Sequence, residues 1–128
     1  MVLIAQVIGS ALGLLAIVFG AFGAHALKKT CSEEQLRSFE TGVKYQMYHA
    51  ILLVVIGFNF NLDIPPQKWM VYCLILGTFL FSFSIYGLVL SASKGKKWKA
   101  LGPITPLGGL LLVIGWGLLL YQFVGRYF

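Results

Sequence analysis

Two histidines and a few polar aromatic neighbours are the residues here with chemistry to offer: His25, then Tyr45, Gln46 and His49, then Thr105 ahead of a proline. Imidazoles relay protons or ligate metals near neutral pH, while a phenol, a carboxamide and a hydroxyl can orient a ligand. His25 stands three residues before Lys28, and His49 five residues after Lys44. At ~1.5 Å of rise per helical residue the two rings lie about 5 and 8 Å inside those lysines, at depths that let them meet. One haem iron or metal ion held by His25 and His49 is the sharpest version of this reading. A third ligand and a haem-attachment motif are missing, however, so no cofactor and no metal site are expected. No nucleophile with an oriented base stands out either, and no catalytic residue is assigned.

At 3.6 residues per turn, Gly42, Tyr45, Gln46 and His49 share an arc of about 100°, with Glu40 and Lys44 on the other side. That arc is a polar, aromatic face turned inward, and Gly42 leaves room for a neighbour. The same period carries His25 away from Gly9, Gly13 and Gly20, toward a different helix unless the chain unwinds at Gly23. Two roles remain open for the cluster. Polar groups inside a bilayer are costly and mark functional sites, yet residues near helix ends also satisfy orphan backbone groups or bond across helices.

The elements that position these residues follow from composition. Of the 128 residues, 59% are apolar and 11% are charged, against about 25% charged in soluble domains. Four runs lack Asp, Glu, Lys and Arg: Val2–Leu27, Tyr45–Leu62, Trp69–Ser93 and Ala100–Gly125. Each is long enough to cross ~30 Å of hydrocarbon, the second by reaching into its charged flank. The expected fold is therefore all-α: one domain, 1–128, forming an antiparallel four-helix transmembrane bundle with approximate spans 3–27, 43–61, 68–92 and 105–126. Helix 2 is expected to extend into the cytoplasmic interface.

Lys28, Lys29, Arg37, Lys44, Lys94, Lys96, Lys97 and Lys99 fall on one side of such a bundle, and only Lys68 and Arg126 on the other. The positive-inside rule then puts both basic loops in the cytoplasm and both termini outside, in a plasma (inner) membrane. In this setting the net charge of +6 reads as orientation and contact with anionic lipid rather than nucleic-acid binding. Lys94, Lys96, Lys97 and Lys99 around Trp98 are the expected lipid contact. Ala24-His25-Ala26 resembles an export cleavage site, but the apolar run is too long for a signal core and no cation precedes it, so Met1 is expected to be kept. Cys31 and Cys73 should lie near opposite faces, out of disulfide reach.

Small residues recur every four positions in helix 1, at Ala5, Gly9 and Gly13 and at Ala16, Gly20 and Ala24. They predict close helix packing, with helix 1 as the central element or as a dimer seam. Gly108 and Gly109 permit a similar approach in helix 4. Ser32 and Gln35 have the spacing of a capping box, and Glu33, Arg37, Glu40 and Lys44 form a solvated stripe. Helix 3 is expected to begin near Gln67, and Thr105 is expected to cap helix 4 with Pro106 at its first helical position.

Gly20-Ala21-Phe22-Gly23-Ala24-His25-Ala26-Leu27, Tyr45-Gln46-Met47-Tyr48-His49-Ala50 and Ile104-Thr105-Pro106-Leu107-Gly108-Gly109, with Gly115-Trp116 downstream, occur in this order. On these motifs the chain resembles domain-of-unknown-function family 423, an uncharacterised membrane protein family that includes transmembrane protein 256. The resemblance implies a small multi-pass membrane protein with no established activity. In helix 3 the family places a glycine between two serines before a tyrosine, whereas Ser82-Phe83-Ser84-Ile85-Tyr86 carries phenylalanine.

Three functional classes follow. The first is association, as a homo-oligomer or an accessory subunit of a membrane complex. The second is a small transporter or channel protomer using the His/Tyr/Gln cluster, although no span contains the carboxylate of a proton-coupled exchanger. The third and weakest is an interfacial enzyme built on His25, His49 and Tyr45.

Overall fold

The computed structural model describes all 128 residues and contains four long helices and no strands. Helix α1 spans Val2–His25, α2 Glu33–Asn59, α3 Pro65–Ser93 and α4 Ile104–Val124. The starts follow local chemistry. Ser32 Oγ accepts the Gln35 N–H (3.2 Å) while Gln35 Oε1 accepts the Ser32 N–H (2.9 Å), closing the capping box of α2. Pro65 opens α3 two residues before the expected start, since a first-turn proline lacks only an N–H that would be orphaned anyway. Just ahead of it, Leu62 sits in the left-handed region at φ 59°. Its side chain is wholly buried, and its N–H reaches Gln67 Oε1 at 3.0 Å. Burial and that bond offset the cost of about 1–2 kcal/mol for a left-handed residue with a Cβ.

Helices α1 and α2 run antiparallel along their whole shared length. Gly9 of α1 meets the Ala50 carbonyl and Leu53, Gly13 meets Ala50, Gly20 meets Val43 and Gly23 meets Phe39. At the other end Gln6 Nε2 donates to the Gly57 carbonyl at 3.3 Å. The second hairpin repeats the pattern: Gly115 packs on Leu74, Gly77 on Leu112, Gly108 on the backbone of Phe81, and Gly109 on its ring. The hairpins dock where α2 crosses α3.

This arrangement corrects the expected place of helix 1. Its small residues are used on one neighbour, α2, and its other faces carry exposed Leu3, Val7, Leu14 and Ile17. The centre of the bundle is instead the α2–α3 contact: α2 packs on α1 and α3, and α3 on α2 and α4.

Three helices are long and apolar enough to cross a membrane: Val2–Lys29, Pro65–Ser93 and Lys99–Val124. The first half of α2 is too charged to qualify by composition, but it lies against α1 from Phe39 to Gly57. The surface is apolar in the same sense, with Phe58 76%, Leu3 69% and Val113 68% exposed while Gln46 is 0% exposed. A water-soluble bundle has the reverse distribution. Trp69, Tyr72 and Tyr121 are exposed toward one end and Trp98 toward the other, the levels at which aromatic belts form.

The third helix is not uniform. Phe79–Phe83 forms a π turn between the α-helical stretches Pro65–Thr78 and Ser84–Ser93. Phe83 puts its ring edge-on to Phe19 of α1 (6.0 Å) and beside Tyr86 (5.4 Å). Close approach of main chains is made instead by Gly108 against the π turn itself.

The two basic loops share one end. Ser32 and Glu34 face Lys97 and Gly102 across a groove of ≈ 590 Å³. At the opposite end the Arg126 guanidinium lies over the rings of Phe60 (5.3 Å) and Phe123 (5.9 Å), which keeps the C-terminus beside the α2–α3 link.

Candidate functional site

The polar face of α2 enters the bundle and is consumed there one turn at a time. At the first turn the Gly42 carbonyl accepts the Ser82 hydroxyl of α3 at 2.7 Å. The Tyr86 ring occupies the space where a Cβ on residue 42 would stand, with its Cε1 only 2.7 Å away. One turn on, Gln46 is fully buried and joins three helices. Its amide donates to the Leu12 carbonyl of α1 (2.8 Å), and its oxygen accepts the Tyr86 hydroxyl of α3 (2.6 Å).

At the next turn the Trp116 indole of α4 donates to His49 Nε2 at 3.0 Å. An indole N–H can only donate, so Nε2 carries the lone pair and Nδ1 the hydrogen, which is given to the Tyr45 carbonyl at 2.6 Å. The network therefore assigns His49 the neutral Nδ1–H tautomer. A second proton on Nε2 would set two donors against each other. Tyr45 itself turns outward, 43% exposed, with its ring 5.0 Å from Phe81 and stacked at 17° on His49.

His25 does not join this group. It is exposed at the end of α1. With Gly13 on Ala50 and Gly23 on Phe39, His49 lies level with the middle of α1. Twelve residues separate that level from His25, an axial distance of about 18 Å. The two imidazoles cannot ligate one ion, and the paired His25/His49 haem or metal site is withdrawn. The depth estimate failed because it took Lys44 as the membrane boundary. In the structure Val43 packs on Gly20, so Lys44 sits eight residues inside Lys28.

Thr105 is also apart from the cluster. Helix α4 starts two residues before the expected cap allows, with Pro103 at the N-cap position, Ile104 as its first residue and no side-chain cap. The 3₁₀ turn Lys99–Leu101 leads through helical Gly102 into it, so Thr105 is already inside the helix. Its hydroxyl shares a 2.6 Å hydrogen bond with Ser84 Oγ, which also donates to the Phe81 carbonyl at 3.0 Å. The pair fastens α4 to α3 at the basic end.

Tyr86, Ser82 and Trp116 complete the network and were not among the expected site residues. A signal for the first two exists: Ser82 and Tyr86 are spaced by four, as are Gly42 and Gln46, and two such pairs match across an antiparallel contact. Every buried side-chain N or O atom has a partner. No group of three or more His, Cys, Asp or Glu is placed to hold a metal. The arrangement joins helices, and in a bilayer bonds of this type contribute roughly 0.6–1.7 kcal/mol each.

Apolar helices facing outward around an internally paired polar core define a small helical membrane protein. The sequence model of a protein family of unknown function, DUF423, matches residues 19–109, and the chain belongs to that family. It is 36% identical over 122 residues to a UPF0382 membrane protein of Staphylococcus haemolyticus, covering 93% of this chain and 96% of that one. A UPF0382 membrane protein of Schizosaccharomyces pombe is 35% identical over 109 residues, covering 84% and 91%. No solved structure matches. The family is one of uncharacterised membrane proteins with no assigned activity.

Proposed function

We propose that the protein works by association, as a homo-oligomer or as an accessory subunit of a complex in the plasma membrane. The observation that carries this reading is Tyr48. It lies level with the middle of α1, since its neighbours Met47 and Ala50 face Gly13, and it is 57% exposed to the surroundings of the bundle. A phenol at mid-bilayer has no water to bond, and an acceptor on a neighbouring helix satisfies it. Tyr45 stands beside it at 5.9 Å, so the outward face of α2 offers two phenols rather than one.

In this reading the four helices form one domain whose basic loops, with eight of the ten cations, lie in the cytoplasm and whose termini lie outside. Lys94, Lys96, Lys97 and Lys99 then rest on the anionic leaflet.

The test is purification of the full chain in mild detergent after cross-linking in its native membrane, with mass spectrometry of what stays bound. A second copy or a stoichiometric membrane protein is expected. Tyr48→Phe should lower its recovery about fivefold, the loss of one interhelical hydrogen bond of ~1 kcal/mol. Recovery of the bare chain alone contradicts association. Ion flux in liposomes that disappears in His49→Ala would make the protein a transporter instead.

A further inference from the structure

Along the basic halves of α1 and α2, Gly20, Gly23 and Ala24 leave a groove of ≈ 350 Å³ against Phe39 and Val43. Lys28 from the end of α1 and Lys44 from α2 both line it, with Glu40 as its only acidic group. It opens on the other side of α2 from the groove that contains Lys97.

Lys44 is the residue to explain. Because Val43 packs on Gly20, Lys44 lies eight residues deeper than Lys28, about 12 Å along the helix. A four-carbon stem lets its ammonium reach back toward the surface, which brings the two cations toward one another along a single groove. Two lysines against one glutamate leave the groove with a net charge of +1. The walls below are apolar, and exposed Ile17 follows one turn below Gly20 on the same side of α1. A positive rim above an apolar, glycine-floored trough at this depth complements a molecule with an anionic head and an acyl chain.

We infer that this groove holds one anionic phospholipid, its phosphate between Lys28 and Lys44 and a chain along Gly20 and Gly23. The site is separate from the lysine loop of the second hairpin, and it does not depend on the oligomeric state of the protein. The full chain in mild detergent is mixed with dioleoyl phosphatidylglycerol or dioleoyl phosphatidylcholine, and bound lipids are counted by native mass spectrometry. One phosphatidylglycerol is expected on the wild type and on a Lys94→Gln, Lys96→Gln variant. Lys44→Gln should lower its retention about tenfold, as loss of one charge-assisted hydrogen bond predicts. Lys28→Gln should lower it in the same direction, and Lys44→Arg should restore it, which separates binding from misfolding. Equal retention of the two lipids, or unchanged retention in Lys44→Gln, overturns the site. Loss that follows the loop lysines instead of Lys44 and Lys28 overturns it as well.

Discussion

Gly108→Ala is expected to destabilise the bundle by about 3 kcal/mol relative to Gly117→Ala, at the upper end of what overpacking costs. Both glycines lie in α4, so any gain in helix propensity is common to the two substitutions. Their surroundings differ. A Cβ at residue 108 would collide with the Phe81 backbone nitrogen and come within 2.8 Å of the Leu80 carbonyl carbon, whereas at residue 117 it meets nothing within 4 Å. Backbone cannot swing aside as the end of a side chain can. The α3–α4 hairpin must then open at the π turn, and the loss of contact spreads to the Ser84–Thr105 bond close by. Unfolding in bicelles by steric trapping measures the difference. Equal stability of the two variants would mean that α4 does not sit against the π turn.

The second large effect concerns Gln46. Gln46→Leu keeps the volume near that of the native side chain but leaves the buried Tyr86 hydroxyl without its acceptor and removes the donor to the Leu12 carbonyl. A cost of about 2 kcal/mol is expected, because an orphaned polar group is charged its full desolvation. Tyr86→Phe alone should cost about 1 kcal/mol. The double variant should be more stable than the sum of the two by about 1 kcal/mol, since deleting both partners leaves nothing unpaired. Additive losses would show that the two side chains are not bonded to one another.

These two sites also mark the limits of the sequence. The four apolar runs, the capping box at Ser32 and the inward turn of Gly42, Gln46 and His49 are periodic or local features, and they are legible because helices have a fixed period and caps a fixed spacing. What pairs with what is set by the register of one helix on another, and no residue states that. A register error of about eight residues, made by reading Lys44 as the boundary, brought His25 and His49 together when about 18 Å separates them. The small-residue stripe of α1 revealed close packing but not whether the partner was in the same chain. The π turn was illegible for a further reason. It depends on Gly108 arriving from another helix as well as on Thr78 and Ser84, whose hydroxyls bond the Leu74 and Phe81 carbonyls. Thr105 was misplaced because its hydroxyl is taken by Ser84 across the hairpin, a partner no cap rule includes.

Helix α2, despite Glu33, Glu34, Arg37, Glu40 and Lys44, is expected to cross the membrane against α1. Reporter fusions placed after residues 30, 63, 95 and 128 test it directly. Cytoplasmic, external, cytoplasmic and external signals are expected in that order. Signals from positions 30 and 63 on the same side would contradict it, since α2 would then lie on the membrane and the Gln46 and His49 bonds could not span the bundle.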